Sequence, residues 1–309
     1  MDHVTDASPT TPSASVPRWR VWLDAARPKT LPAAIAPVLV GIALAVEAGA
    51  FHALAATCAL LGAVLIQVGT NYANDAEDFV RGADTAARKG PTRATAAGLV
   101  TAGQMRTAAA VAFGLAFAAG IALILRGGWP ILAVGLASIA SGYAYTAGRY
   151  ALAYTGLADL FVLVFFGPVA VGGTYYVQAL DLPGWVPIAG LGPGFLATAI
   201  LLANNVRDVE EDRAADKRTL VVRFGRPFGV RLYNHCISGA VVVPAALALV
   251  SRDHLGVLAA AVLAALLGRR LVRTLATTED PAVLNPLLGK TAGLLFLYSV
   301  TFALGWVLT

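Results

Sequence analysis

The stretch ALAATCALLGAVLIQVGTNYANDAEDFVRGAD, residues 53–84, decides the fold. Its first part, residues 53–72, carries no charged side chain, and it passes without a turn signal into Asn74, Asp75 and Asp78. A bilayer core of about 30 Å is crossed by about 20 apolar residues in a helix. The segment therefore predicts a membrane helix that delivers a polar cluster to the membrane surface.

Working outward, eight more stretches have the same character, near 31–49, 105–125, 129–147, 156–179, 185–204, 232–250, 254–272 and 289–308. None alternates as the strands of a membrane barrel do. The prediction is an all-α integral membrane protein of about nine transmembrane helices. In the eighth, Gly268, Arg269 and Arg270 cut the apolar part short. Pro37, Pro168 and Pro244 fall inside spans, which membrane helices tolerate. Composition agrees, with 58% apolar and 13% charged residues, against roughly 45–50% and 25% in soluble domains. Cys58 and Cys236 both lie in apolar runs and read as packing residues, which leaves no disulfide framework. The first 17 residues, rich in Ser, Thr and Pro, read as a disordered tail without the basic start of a secretory signal, ahead of a single domain over 18–309.

Under this nine-span reading, 21 of the 23 Lys and Arg residues fall on one side, leaving only Arg126 and Arg252 on the other. The positive-inside rule then places the amino terminus and the two long polar loops in the cytoplasm, and the carboxyl terminus outside the cell membrane. The net charge of +5 is a topology signal and gives no reason to expect nucleic-acid binding.

Acidic residues gather in those same two loops. At about 100° per residue, a continuing helix sets Asn71, Asn74, Asp75 and Asp78 on one face. In NNVRDVEEDRAADKRTLVVRFG, residues 204–225, the same spacing aligns Asn205, Asp208 and Asp212. Carboxylates this close repel one another, more so at a membrane boundary, so a cation should lie between them. Hard oxygen ligands suit Mg²⁺, which is typically shared between one or two carboxylates and substrate phosphates. Arg88, Lys89 and Arg93 follow the first cluster, and Lys217 and Arg218 the second, where they can grip phosphate oxygens. The pattern points to one diphosphate held from both loops with two metal ions between them. Glu77, Glu210 and Glu211 point off these faces and read as solvated surface charges.

The motifs RPKTLPAAIAPVLVG from Arg27, NYANDAEDFVRGAD with GPTR at 90–93, VLVFFGPVAVGGTYY over 162–176 and NNVRDVEEDRAADKRTLVVRFG resemble the UbiA superfamily of membrane prenyltransferases. Within it they are most similar to the 1,4-dihydroxy-2-naphthoate polyprenyltransferases of menaquinone synthesis. The resemblance implies metal ligation by Asn74, Asp78, Asp208 and Asp212, with Asp75 as a supporting residue, and Asn205 joins the metal set by its place on the helical face. Gly82 stands where many members carry a further Asp, and Asp84 is the implied substitute. Ala76 and the segment YALAY, 150–154, depart from the subfamily wording, with Tyr154 kept. Diphosphate contacts fall to Arg93, Arg207 and Lys217, and stabilisation of an allylic cation by ring faces to Tyr72, Tyr145 and Tyr154, against the plainer reading of interfacial tyrosines as anchors.

The implied reaction joins a polyprenyl diphosphate to 1,4-dihydroxy-2-naphthoate within the membrane lipid, with loss of carbon dioxide, giving demethylmenaquinol. Sister enzymes acting on 4-hydroxybenzoate, homogentisate or a geranylgeranyl glycerol phosphate are the alternative within the class. A transporter is the alternative outside it, disfavoured because transporters place ionisable groups near the midplane of broken helices.

Overall fold

A computed structural model of the protein describes residues 17–83, 90 and 93–309. The tail reading for residues 1–16, and the roles of Asp84, Arg88 and Lys89, lie outside the described residues.

In chain order the helices are α1 (Arg18–Ala25), α2 (Leu31–Glu47), α3 (Ala53–Val80), α4 (Ala102–Gly127), α5 (Trp129–Ala144), α6 (Leu152–Thr155), α7 (Ala158–Val164), α8 (Ala170–Ala179), α9 (Trp185–Arg207), α10 (Val209–Ala214), α11 (Leu220–Phe224), α12 (Arg226–Ser251), α13 (Leu258–Thr277) and α14 (Pro281–Leu308). Among the described residues, eight helical stretches are long and apolar enough to cross a membrane, α7 through α8 counting as one, and α5 is a shorter apolar helix beside them. These nine coincide with the nine predicted spans. The eighth runs through Arg269 and Arg270 to Thr277, and the ninth begins at Pro281, eight positions earlier than the apolar run suggests.

α3 carries the argument of the first motif. Its 28 residues reach about 42 Å at 1.5 Å per residue, more than a hydrocarbon core of about 30 Å. The last turns therefore project beyond the core. Asn71, Asn74, Asp75 and Asp78 are all buried there, because α1 and the segment around Ala94 close over them. α1 was not anticipated; Val21 and Ala25 pack with Ala76, Val100 and Met105.

Of the interior prolines, Pro168 alone disrupts its helix. Residues Phe165–Val169 wind as a π-helix, with Gly167 at φ −118° and ψ −107°. Proline lacks the N–H that would bond back along the helix and its ring crowds the preceding turn, so the chain widens there. Glycines make room for the widened segment on α9. A Cβ at Gly190 would lie 2.8 Å from the Gly167 carbonyl oxygen, and one at Gly194 would lie 2.6 Å from that of Leu163. The α9 interface must be glycine at both positions. Behind it, α2, α8, α9, α12, α13 and α14 share the main apolar core, centred on residues such as Leu44, Leu196, Tyr233 and Tyr298.

Candidate functional site

A cavity of about 410 Å³ opens between α2–α5 on one side and α7–α9 on the other. Apolar side chains, among them Ile124, Ile131, Phe165, Phe166 and Val177, line its greater part. At its polar end stand Asn74, Asp78 and Arg93 from the first motif and Asn205, Asp208, Asp212 and Lys217 from the second. Two loops more than a hundred residues apart in sequence thus meet at one site, as their shared chemistry led us to expect.

Asp78 is the hub. Arg93 Nη2 lies 3.4 Å from its Oδ2, Lys217 Nζ lies 3.2 Å from its Oδ1, and the Tyr154 hydroxyl donates to Oδ1 at 3.1 Å. Lys217 also reaches to 4.0 Å from Asp212 Oδ1, so one ammonium bridges the two motifs. It sits 5.3 Å from the centre of the Tyr154 ring, with the Arg81 guanidinium over that ring at 4.5 Å. Asn74 accepts a hydrogen bond from the Thr146 hydroxyl at 2.7 Å, which turns its amide oxygen toward the loop after α5.

The second motif departs from a single helical face. α9 stops at Arg207, and Asp208 takes φ −98° and ψ 13° before α10 begins. The break is mild, because the Asp208 N–H still bonds to Asn204 O and the Asp212 N–H to Asp208 O, at 3.0 and 2.8 Å. Asp208 and Asp212 consequently still line one cavity.

Four of the site residues expected from sequence, Asp75, Arg207, Tyr72 and Tyr154, stand apart from the cavity lining, Tyr154 being tied to the site through its contact with Asp78. Asp75 accepts the backbone N–H groups of Ala94 and Thr95 at 3.2 and 3.0 Å, latching the segment that carries Arg93. Arg207 grips both oxygens of Asp208 at 2.5 and 2.6 Å and donates further to Asn204 and Asn285. Tyr72 donates to the Trp22 carbonyl at 3.2 Å and meets the Trp22 ring edge-on, as an anchor for α1. Tyr145 does line the cavity, just past the end of α5.

Two solvated readings are corrected. Glu77 is buried and clamped by Arg106 at 2.7 and 3.2 Å, the partner being 29 residues away on α4. Glu211 lines the cavity, whereas Glu210 is exposed and pairs with Arg213. Sequence reasoning passed over Arg27 and Asp159, both of which line the cavity. For Asp159 the available signal was a carboxylate inside a predicted span, which the cost of such a charge marks as functional.

The donor set suits a hard divalent cation, since it consists of carboxylate and amide oxygens with neither thiol nor imidazole among those named. The Asn205 amide nitrogen is buried without a hydrogen-bond partner, leaving polar capacity unused at the same end. Among the described residues no three acidic, His or Cys side chains converge tightly enough to hold an ion alone. Any ion here would share its coordination with phosphate oxygens and water, the mode Mg²⁺ favours.

Known proteins place this geometry. The chain is 37% identical over 297 residues to the 1,4-dihydroxy-2-naphthoate octaprenyltransferase of Escherichia coli, covering 94% of this chain and 96% of that protein. It is 42% identical over 223 residues to the enzyme of the same name from Mycobacterium tuberculosis, covering 72% and 76%. A solved UbiA homolog from Archaeoglobus fulgidus, bound to GPP and Mg2+, shares the fold at a TM-score of 0.62 and 17% identity, over 91% of this chain and 99% of that one. A sequence model of the UbiA prenyltransferase family matches residues 34–300, and the chain is a multi-pass membrane protein that belongs to this family.

Proposed function

We propose that the protein transfers a polyprenyl chain from its allylic diphosphate to 1,4-dihydroxy-2-naphthoate, with loss of carbon dioxide, yielding demethylmenaquinol. The observation that carries this reading is the two-ended cavity, in which Asn74, Asp78, Asp208, Asp212, Arg93 and Lys217 gather at the mouth of an apolar tunnel. A prenyl diphosphate has the same division between a charged head and an apolar tail. The names of the relatives from E. coli and M. tuberculosis supply the acceptor.

Mg²⁺ held by Asn74, Asp78, Asp208 and Asp212 would supply the positive charge that makes diphosphate a leaving group. Arg93 and Lys217 already stand over Asp78, so two cationic side chains meet the diphosphate in place. Charge organised in advance toward a departing anion is usually the largest catalytic contribution. Asp75 acts at one remove by fixing the segment that bears Arg93, and Arg207 by fixing the carboxylate of Asp208. Tyr145, which lines the cavity, offers its ring to an allylic cation, Tyr154 holds Asp78 through its hydroxyl, and the apolar wall keeps water from capturing the cation. Tyr72 serves as an anchor in this scheme.

The test is purified protein in lipid nanodiscs with labelled polyprenyl diphosphate and 1,4-dihydroxy-2-naphthoate. Transfer should cease with a chelator and return with added Mg²⁺. Transfer that persists under chelation would refute the metal assignment.

The distribution of basic residues supports a cytoplasmic amino terminus and cytoplasmic motifs, with the carboxyl terminus on the outer face of the cell membrane. Reporter fusions at Thr309 should therefore read as external. A cytoplasmic signal there would mean that the number of crossings is even, with α5 the first helix to re-examine, since its 16 residues reach only about 24 Å.

A further inference from the structure

Asp159 opens α7 and is 5% exposed, and it lines the cavity. Among the described residues neither of its carboxylate oxygens has a hydrogen-bond partner, apart from the approach of its own backbone N–H. It forms no ion pair among the described residues, whereas Asp78 and Asp208 are engaged by Arg93, Lys217 and Arg207. A buried carboxylate without partners is costly, and more so at a membrane. Such a group persists in a sequence when the working state supplies the missing partner.

Its place in the fold says which partner. The diphosphate end of the cavity is set by the ends of α3 and α9, and the tail end by apolar residues that include Val162, Phe165 and Phe166. Asp159 lies one to two turns before those residues on the same helical segment, so it stands at the junction. The reacting carbon of the donor is the one bonded to diphosphate, and it too must lie at that junction. The acceptor ring has to arrive there with its hydroxyl groups, which are hydrogen-bond donors.

We infer that Asp159 is the base of the transfer, accepting a hydrogen bond from the ring hydroxyl next to the attacked carbon. This rests on the acceptor proposed above. As the carbon bearing the carboxylate attacks, the C–O bond to diphosphate breaks, the new C–C bond forms, and the hydroxyl proton passes to Asp159 while its oxygen becomes a ketone. The attacked carbon then carries the prenyl group and a carboxylate beside that ketone. Loss of carbon dioxide sends the electrons of the broken bond to the ketone oxygen, the ring regains aromaticity, and Asp159 returns the proton. Asp159 ends as it began, and the net products are carbon dioxide, diphosphate and the prenylated hydroquinone.

The experiment compares wild type, Asp159→Asn and Asp159→Glu in nanodiscs with Mg²⁺, labelled farnesyl diphosphate and 1,4-dihydroxy-2-naphthoate. Three quantities are read: prenylated product, diphosphate released by solvolysis without acceptor, and melting temperature. For Asp159→Asn the product should fall about 100-fold or more, the scale of a lost general base. Its solvolysis should equal that of wild type, and its melting temperature should not drop, because Asn removes an unpaired buried charge. Asp159→Glu should recover part of the transfer. Full transfer by Asp159→Asn would overturn the inference. So would parallel loss of transfer, solvolysis and melting temperature, which would mark a structural role. Wild-type protein that solvolyses the donor yet leaves the naphthoate untouched would instead defeat the acceptor reading, and is recognised without any variant.

Discussion

Asp78→Asn is expected to lower prenyl transfer by about 10³-fold, the order seen when one element of a preorganised electrostatic site is removed. The carboxylate does three things at once: it supplies charge to the metal end of the cavity, holds Arg93 and Lys217 within 3.4 Å, and accepts the Tyr154 hydroxyl. Asparagine keeps the shape and one oxygen but removes the charge. Arg93 and Lys217 remain to attract diphosphate, so the donor's KM should move far less than kcat. A variant retaining wild-type kcat would remove Asp78 from the metal site.

Asp208→Asn should lose turnover to a similar degree and should also unfold at a clearly lower temperature. Arg207 and Asp208 form an ion pair with side-chain exposures of 2% and 5%. Removing one member of a buried pair leaves the other charge uncompensated and costs about 3–5 kcal/mol. The contacts of Arg207 with Asn204 and Asn285 place the loss at the lower end of that range. Calorimetry or a fluorescence melt in detergent would check it. An unchanged melting temperature would mean that Arg207 is held by its two asparagine partners alone.

Much of this was legible in the sequence because the bilayer imposes a coarse rule. Nine apolar runs of about the right length point to spanning helices, and among the described residues eight helical stretches are long and apolar enough to span, with α5 a shorter ninth. The continuation of α3 to Val80 was legible for the same reason that helices are periodic, since Asn71, Asn74 and Asp78 make sense only on one face. What periodicity could not provide was partnership across the fold. Glu77 points away from the metal face as expected, yet it is buried because Arg106 comes from another helix to meet it. Arg207 looks like a diphosphate ligand by its place in the motif, but its nearest carboxylate is its own neighbour. Asp75 belongs by spacing to the metal set, while backbone amides nearly twenty residues on occupy both its oxygens. The π-helical segment at Pro168 was invisible, since many membrane prolines leave their helix intact and only the glycines of α9 opposite it reveal the room made for it.

The measurement that bears most directly on the central claim is the mass of the product. Wild-type protein is given a labelled polyprenyl diphosphate, Mg²⁺ and equal amounts of 1,4-dihydroxy-2-naphthoate and 4-hydroxybenzoate, and the lipid extract is weighed by mass spectrometry. The ring hydroxyl beside the carboxylate-bearing carbon enriches that carbon for attack, and the resulting ketone promotes loss of the carboxyl group. The account predicts a prenylated naphthalene diol without its carboxylate, and one carbon dioxide released per chain transferred. A prenylated product that keeps its carboxylate, or preferential prenylation of 4-hydroxybenzoate, would contradict it.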